Sequence, residues 1–268
     1  MLGAWVPCRR AHDGVRVTVC QLADERDRFE EDWKALCAHV RAARSTLVLL
    51  PELPFARWFP AAPAFDARVW QHAVELHRRW EMRLRQLGVP FVVGTRPIER
   101  EARRLNEAYL ATARCVHPIH EKRYLPDEKG FWEASWYASG DGVFDAVRTG
   151  DAILGVQICT ELWRLDVSRH FGLRGADVIV VPRATPAGSR DRWIVGARAA
   201  AIVSGAFCLS SNRSGTSTGG DVFAGEGWII DPEGEVLALT CDANPFVTME
   251  IDLPRARAAK GTYPRYVR

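Results

Sequence analysis

The chain has 268 residues, 47% hydrophobic and 26% charged, which suits a globular protein able to bury a large core in one domain or two smaller ones. A net charge of +3 gives no argument for nucleic acid, because the arginine clusters (Arg78-Arg79, Arg100 to Arg104) are interrupted by acids or apolar residues and read as solvated surface. No apolar run has the length needed to cross a bilayer, so no membrane partner is expected either.

Residues 1–14 (MLGAWVPCRRAHDG) read as an N-terminal extension; its arginines follow a short apolar patch, the reverse of a secretory leader, and a cytoplasmic protein is expected. Val15 to Leu22 is rich in β-branched residues and predicts a strand. Glu25 to Arg44 carries Phe29, Trp33, Leu36 and Val40 at helical spacing. Thr46 to Leu50, a short apolar run before Pro51, predicts a strand buried on both faces. Asp66 to Leu87 predicts a second long helix closed by Gly88, and Phe91 to Gly94 and Glu107 to Ala113 predict strands. The alternation then repeats: strand Ala152 to Ile158, helix Val167 to Arg174, strand Asp177 to Val181, helix Arg192 to Ser204, strand Ala206 to Ser210. Gly227 to Ile230 and Val236 to Leu239 flank the turn Asp231-Pro-Glu-Gly234 and predict a hairpin, and Val247 to Ile251 is a last strand. Ser210 to Gly220 reads as a surface loop, and nothing reads as a linker. The pattern predicts a single α/β domain over 15–253 with layered helices and sheets. The polar tail over 254–268 reads as an irregular C-terminal arm packing on a partner at a dimer interface.

Seven cysteines, at 8, 20, 37, 115, 159, 208 and 241, are scattered without a C-x-x-C, which suits reduced thiols better than disulfides or zinc. A metal site on His117 and His120 lacks further ligands at suitable spacing, and neither metal nor cofactor is expected.

Three reactive side chains stand where predicted strands end. Glu52 follows Leu47-Val-Leu-Leu-Pro51, Lys122 follows the segment through Val116 and Ile119, and Cys159 follows Ile153-Leu-Gly-Val-Gln-Ile158. In α/β sheets the ends of strands are where ligands usually meet side chains. In this order the three resemble the nitrilase superfamily of carbon–nitrogen hydrolases. LLPELPF resembles that family's general-base motif, HEKRYLPDE its lysine motif and GVQICTELWR its nucleophile motif. Asn106, RGADVIVVP, WIVGARAA, Ser211-Asn212 and GWIIDPEGEV agree with the family's secondary landmarks. Glu133 opens a stretch (Glu133 to Gly140) similar to the one carrying the family's second glutamate, with Glu128 as the competing position. Two departures stand out: His120 occupies the place of a usual tyrosine, and Gly225-Glu-Gly227 that of Gly-x-Ser.

The resemblance implies an αββα sandwich whose dimer forms four layers, often within larger homo-oligomers. It also implies a hydrolase of non-peptide carbon–nitrogen bonds acting through a thioester at Cys159. A free thiol is little ionised at neutral pH, so Cys159 needs an adjacent base or a depressed pKa. Glu52 suits the base, Lys122 and the Thr160 N–H the oxyanion, and Glu133 the orientation of Lys122. Trp58 and Trp136 either wall a small substrate pocket or belong to core or interface. Arg183 either holds a substrate carboxylate or forms a structural ion pair, and Glu161 either meets the leaving amine or caps the following helix. The substrate is expected to be a small amide, with a nitrile or a carbamoyl amino acid or amine as alternatives on the same three residues. The Ser/Gly-rich run Ser210 to Gly220 superficially resembles a Ser-Ser-Lys amidase, but no lysine lies between Lys129 and Lys260. A non-catalytic binding protein on the same fold is the remaining alternative.

Overall fold

The first strand, β1 (Val15–Ala23), organises the molecule because it belongs to two sheets at once. The structure, a computed structural model, describes residues 15–267; the extension expected over 1–14, Cys8 included, lies outside the described residues. After β1 come α1 (Arg26–Ala42), β2 (Leu47–Leu49), α2 (Ala67–Glu81), β3 (Phe91–Arg100), β4 (Arg103–Ala111) and β5 (Val116–Glu121). The second half contains α3 (Glu133–Trp136), β6 (Val147–Thr149), β7 (Ala152–Val156), α4 (Leu165–Leu173), β8 (Val178–Arg183), α5 (Arg190–Ser204) and β9 (Phe207–Ser214). It closes with β10 (Trp228–Ile230), β11 (Val236–Leu239), β12 (Phe246–Ile251) and α6 (Leu253–Ala259).

The start of β1 pairs in parallel with β2 and antiparallel with β12, whereas its end, Gln21 to Ala23, pairs in parallel with Asn212 to Ser214 of β9. The strand path therefore runs β5-β4-β3-β2-β1-β9-β8-β7-β6, with β12 beside β1 and the β10–β11 hairpin beside β9. Side-chain alternation sorts the first sheet's faces. Val17, Val19, Leu47, Leu49 and Val93 point into one core with Leu154, Val156, Val178 and Val180 of the second sheet. Cys20, Leu22, Val48, Leu50 and Val92 point the other way, against Phe29, Trp33, Leu36 and Val40 of α1. On the second sheet, Trp193, Ala197, Ala200 and Ala201 of α5 join the same buried cluster. Helix, sheet, sheet and helix give the αββα sandwich expected from the resemblance.

Several boundaries differ from the sequence reading, each for a local reason. Asp66 caps α2 by accepting from the Arg68 and Val69 N–H groups, but the helix stops at Glu81. The chain resumes as a 3₁₀ turn over Leu84–Leu87, ended by Gly88 at φ 69°; Leu84 and Leu87 are both buried, eclipsed one above the other by the three-residue repeat of that helix. The loop read over Ser210 to Gly220 begins as strand: β9 continues to Ser214, fully buried between β1, β8 and β10. Interior position, not composition, decides that stretch. The tail is not irregular at its start, since 253–259 is helical, with Leu253, Ala256 and Ala259 buried. Arg265 then reaches back to the Ile202 carbonyl and the Glu233 carboxylate of the same chain. Among the described residues, no helix is long and apolar enough to cross a membrane.

Candidate active site

Four charged or reactive side chains from distant parts of the sequence meet at one end of the sandwich. Pro51 follows β2 and the chain turns sharply, with Leu53 at φ 45° and its N–H on the Thr95 hydroxyl at 2.7 Å. The Glu52 N–H donates to the Arg183 carbonyl across the interior at 3.1 Å. The Glu52 carboxylate is wholly buried; its Oε1 accepts from Lys122 Nζ at 2.7 Å and from Asn106 Nδ2 at 2.8 Å. Its Oε2 has no hydrogen-bond partner. An unmatched carboxylate oxygen in the interior is costly and calls for an explanation.

Lys122 directly follows β5, and its N–H donates to the Asn106 carbonyl on β4. Its ammonium also donates to both oxygens of Glu133, at 2.8 and 2.6 Å, so its three N–H donors are engaged. Burial opposes the charge on Lys122, yet Glu133 and Glu52 outweigh it and hold the ammonium above its ordinary pKa. Burial pushes the Glu133 carboxyl upward with help from Glu52, against the pull of the Lys122 ammonium that pairs with it.

Cys159 lies just beyond β7, opening a 3₁₀ turn over Cys159–Trp163. Its φ of 51° is left-handed, a conformation that a non-glycine residue holds only when its surroundings fix it. They do: Glu161 Oε2 accepts from the Ile158 N–H at 2.7 Å, and Gln157 Nε2 donates to the Glu161 carbonyl at 2.7 Å. The sulfur faces the Ala184 carbonyl at 3.8 Å. Burial, followed by Glu52, raises the thiol well above its ordinary pKa, with Lys122 acting in the opposite sense. The depressed pKa that sequence reasoning offered as one route to reactivity is therefore absent, which leaves the adjacent base.

Although only 3% exposed, Cys159 opens onto a cavity of about 320 Å³. The lining includes Glu128, Phe131, Glu133, Thr160, Thr185 and Arg192, with Trp163 and Trp193 facing each other at 5.4 Å. The volume suits a small molecule.

The sequence-predicted residues divide cleanly. Lys122 donates to both Glu52 and Glu133, the charges of all three act on the Cys159 thiol, and Thr160 lines the cavity. Of the two candidate second glutamates, Glu133 binds Lys122 and Glu128 lines the cavity instead. Arg183 does not line the cavity, although the charge of Cys159 acts on it: it is buried, donates to Ser210 Oγ, Thr185 Oγ1 and the Glu226 carbonyl, and stacks on Trp228 at 3.7 Å. Three of its N–H donors go to neutral acceptors of the core, and among the described residues no carboxylate forms an ion pair with it. Trp58 and Trp136 do not line the cavity; they belong to an aromatic cluster with Phe59 and Tyr137 that reaches the cavity wall through Phe131 and Ala184, and their indole N–H groups donate to the Gly130 and Ala62 carbonyls. Glu161 faces away from the cavity and accepts from His120 Nε2 at 2.8 Å, Ile158 N and Arg123 N at 2.6 Å. Sequence reasoning missed Arg192 and Trp193 as cavity residues. Their segment stood out as a landmark, but only the meeting of α5 with the end of β8 turns them toward Cys159.

No group of three or more His, Cys, Asp or Glu side chains arranged to hold a metal occurs among the described residues.

The carbon-nitrogen hydrolase family model matches residues 16–261. A citrullinase of Francisella tularensis is 24% identical over 244 residues, covering 84% of each chain. An N-carbamoylputrescine amidase of Oryza sativa is 29% identical over 160 residues, 53% of this chain and 52% of that one, so the chain matches about half the length of that relative. Among solved structures, a carbon-nitrogen hydrolase from Helicobacter pylori G27 superposes with a TM-score of 0.81 at 22% identity, covering 94% of both chains. A cysteine-to-alanine mutant of the amidase from Nesterenkonia sp. AN1, in complex with butyramide, does so with a TM-score of 0.76 at 18% identity, covering 93% of this chain and 94% of that one. The family match over nearly the whole chain establishes that this protein belongs to the carbon-nitrogen hydrolase family.

Proposed function

We propose that the protein hydrolyses a small amide or carbamoyl compound through a thioester at Cys159, with Glu52 as the base, Lys122 as the charge that favours the oxyanion and Glu133 holding Lys122. The observation that carries this reading is the unpartnered Oε2 of Glu52, beside a lysine whose own donors are already filled. In the resting state Cys159 is a thiol, so its proton must leave as the sulfur attacks. Glu52 Oε2 takes that proton while Sγ bonds to the carbonyl carbon. Negative charge then develops on the carbonyl oxygen, favoured by the Lys122 ammonium through space and by the Thr160 N–H as donor. Collapse breaks the carbon–nitrogen bond, and Glu52 returns the proton to the departing nitrogen, releasing ammonia or an amine. Water enters, gives one proton to Glu52 and attacks the thioester; the acid leaves and the thiol regains its proton.

An amide or carbamoyl substrate is favoured over a nitrile by the amidases and the citrullinase among the relatives. Ammonia release over small amides, carbamoyl compounds and nitriles tests the reading beside Cys159→Ala. Cys159→Ala should lower turnover at least about 10³-fold while leaving the thermal midpoint nearly unchanged. Full activity in that variant refutes the proposal. For assembly, we propose a homodimer or larger homo-oligomer pairing through the outer faces of α4 and α5, where Leu173 and Val195 stand exposed; light scattering on Leu173→Glu decides.

A further inference from the structure

The cavity above Cys159 carries two charges that the proposed chemistry does not use. Glu128 precedes α3 in the loop after Lys122, and Arg192 lies in the first turn of α5; both are exposed and both line the cavity that contains the sulfur. Their surroundings are otherwise apolar or neutral: Pro126, Phe131, Trp163, Ala184, Pro186 and Trp193. Nearby arginines are already committed. Arg190 pairs with Glu226, Arg164 pairs with Asp166 at 2.9 Å, and Arg183 is locked in the core. Among the described residues, Arg192 and Glu128 are within salt-bridge reach neither of each other nor of another charged side chain, so both heads remain available. The third charge on the lining, Glu133, is held by Lys122.

Resting on the reading of Cys159 as nucleophile, we propose that Arg192 and Glu128 select a zwitterionic substrate: a small amide or ureide whose far end bears both a carboxylate and an ammonium. Arg192 offers a planar fork that matches a carboxylate in two-point contact, and Glu128 accepts from an ammonium. The aromatic walls enclose the uncharged chain between that head and the scissile carbonyl, while the two charged heads stand at the exposed rim of the cavity. A neutral amide fits the same volume but leaves both charges without a partner, so discrimination comes from unpaired groups as much as from new bonds.

The test compares kcat/KM for glutamine and citrulline (both charges), N-carbamoyl-β-alanine (carboxylate only), N-carbamoylputrescine (ammonium only) and butyramide (neutral). A zwitterion should exceed butyramide by roughly a hundredfold, with the singly charged compounds between them. Arg192→Ala should lower kcat/KM for the carboxylate-bearing compounds about tenfold more than for butyramide, and Glu128→Gln should do the same for the ammonium-bearing ones. Both losses should appear chiefly in KM. Equal rates across the panel, absence of turnover of either zwitterion, or equal losses for charged and neutral compounds in the two variants overturns the specificity proposal. The nucleophile reading is judged separately: butyramide turnover that vanishes in Cys159→Ala sustains it whatever the panel ratios, and turnover that survives there refutes it.

Discussion

Glu52 belongs to two clusters of buried charge, and they differ in how completely their polar groups are matched. Its main-chain carbonyl is held by Arg213 of β9, which also donates to the carbonyls of Leu53 and Ala56 and to the carboxylate of Asp24. Asp24 in turn accepts from Arg57 Nε at 2.5 Å and from the Trp58 N–H at 2.8 Å. The loop over 52–58 is thereby tied to β9 through its carbonyls and to Asp24 through the Trp58 N–H. The side chain of Glu52 belongs to the other cluster, where one ammonium serves two carboxylates and both Glu52 Oε2 and Asn106 Oδ1 lack a partner. A matched network fixes geometry, whereas an unmatched one leaves an acceptor open to a further hydrogen bond. The first holds the backbone still so that the second can tolerate an unsatisfied oxygen.

Arg213→Ala should have the largest effect, because it leaves Asp24 short of a donor and strips the Glu52, Leu53 and Ala56 carbonyls of theirs. It should cost about 3–5 kcal/mol in urea unfolding. Glu52→Gln should behave in the opposite way. The amide oxygen still accepts from Lys122 but no longer takes a proton, so turnover should fall at least about a hundredfold while the urea midpoint stays nearly where it was. If Glu52→Gln destabilises as much as Arg213→Ala, the two clusters are not distinct in kind.

His77 sharpens the same contrast through pH. It packs under the matched cluster, where its Nε2 accepts from the Phe55 N–H at 3.4 Å and its Nδ1 lies 2.8 Å from the Ala73 carbonyl. Burial lowers its pKa to about 3 from an ordinary 6.5. The folded protein therefore binds fewer protons there than the unfolded chain. The resulting stability is full above about pH 6.5 and is lost as pH falls toward 3. Between pH 7.5 and 5 the loss should be on the order of 2 kcal/mol, and His77→Gln should remove that part of the slope. An unchanged slope in the variant would mean that His77 is charged in the fold.

The smallest effect concerns Glu161, which accepts from the residue before Cys159, from the residue after Lys122 and from His120. Glu161→Gln weakens that clasp, and kcat should fall about tenfold with little change in KM. A change confined to KM would instead mean that Glu161 contacts substrate.

Most of the strands, the first long helix and the positions of Glu52, Lys122 and Cys159 at strand ends were legible in the amino-acid sequence. β5 and β6 were not, and the second long helix was read six residues too far, to Leu87 rather than Glu81. Short apolar runs ending in Pro-Glu, Lys or Cys carry a local signal, and the order of motifs around them adds the family resemblance. Glu133 was legible by its spacing to Gly140, and Thr160 by its adjacency to Cys159. The limits fall where the same residue type serves two environments. Arg183 and Arg192 lie nine positions apart, and nothing local tells which one gives its donors to the core and which one lines the cavity. Trp58 and Trp136 adjoin the reactive motifs in sequence yet pack away from them, while Trp163 and Trp193 meet across the cavity. Those assignments were decided by tertiary structure: the register of β1 between two sheets and the approach of α5 to β8 set which face of each segment is buried. A side chain's chemistry is written in the residue, but its partners are supplied by chain segments far away in sequence.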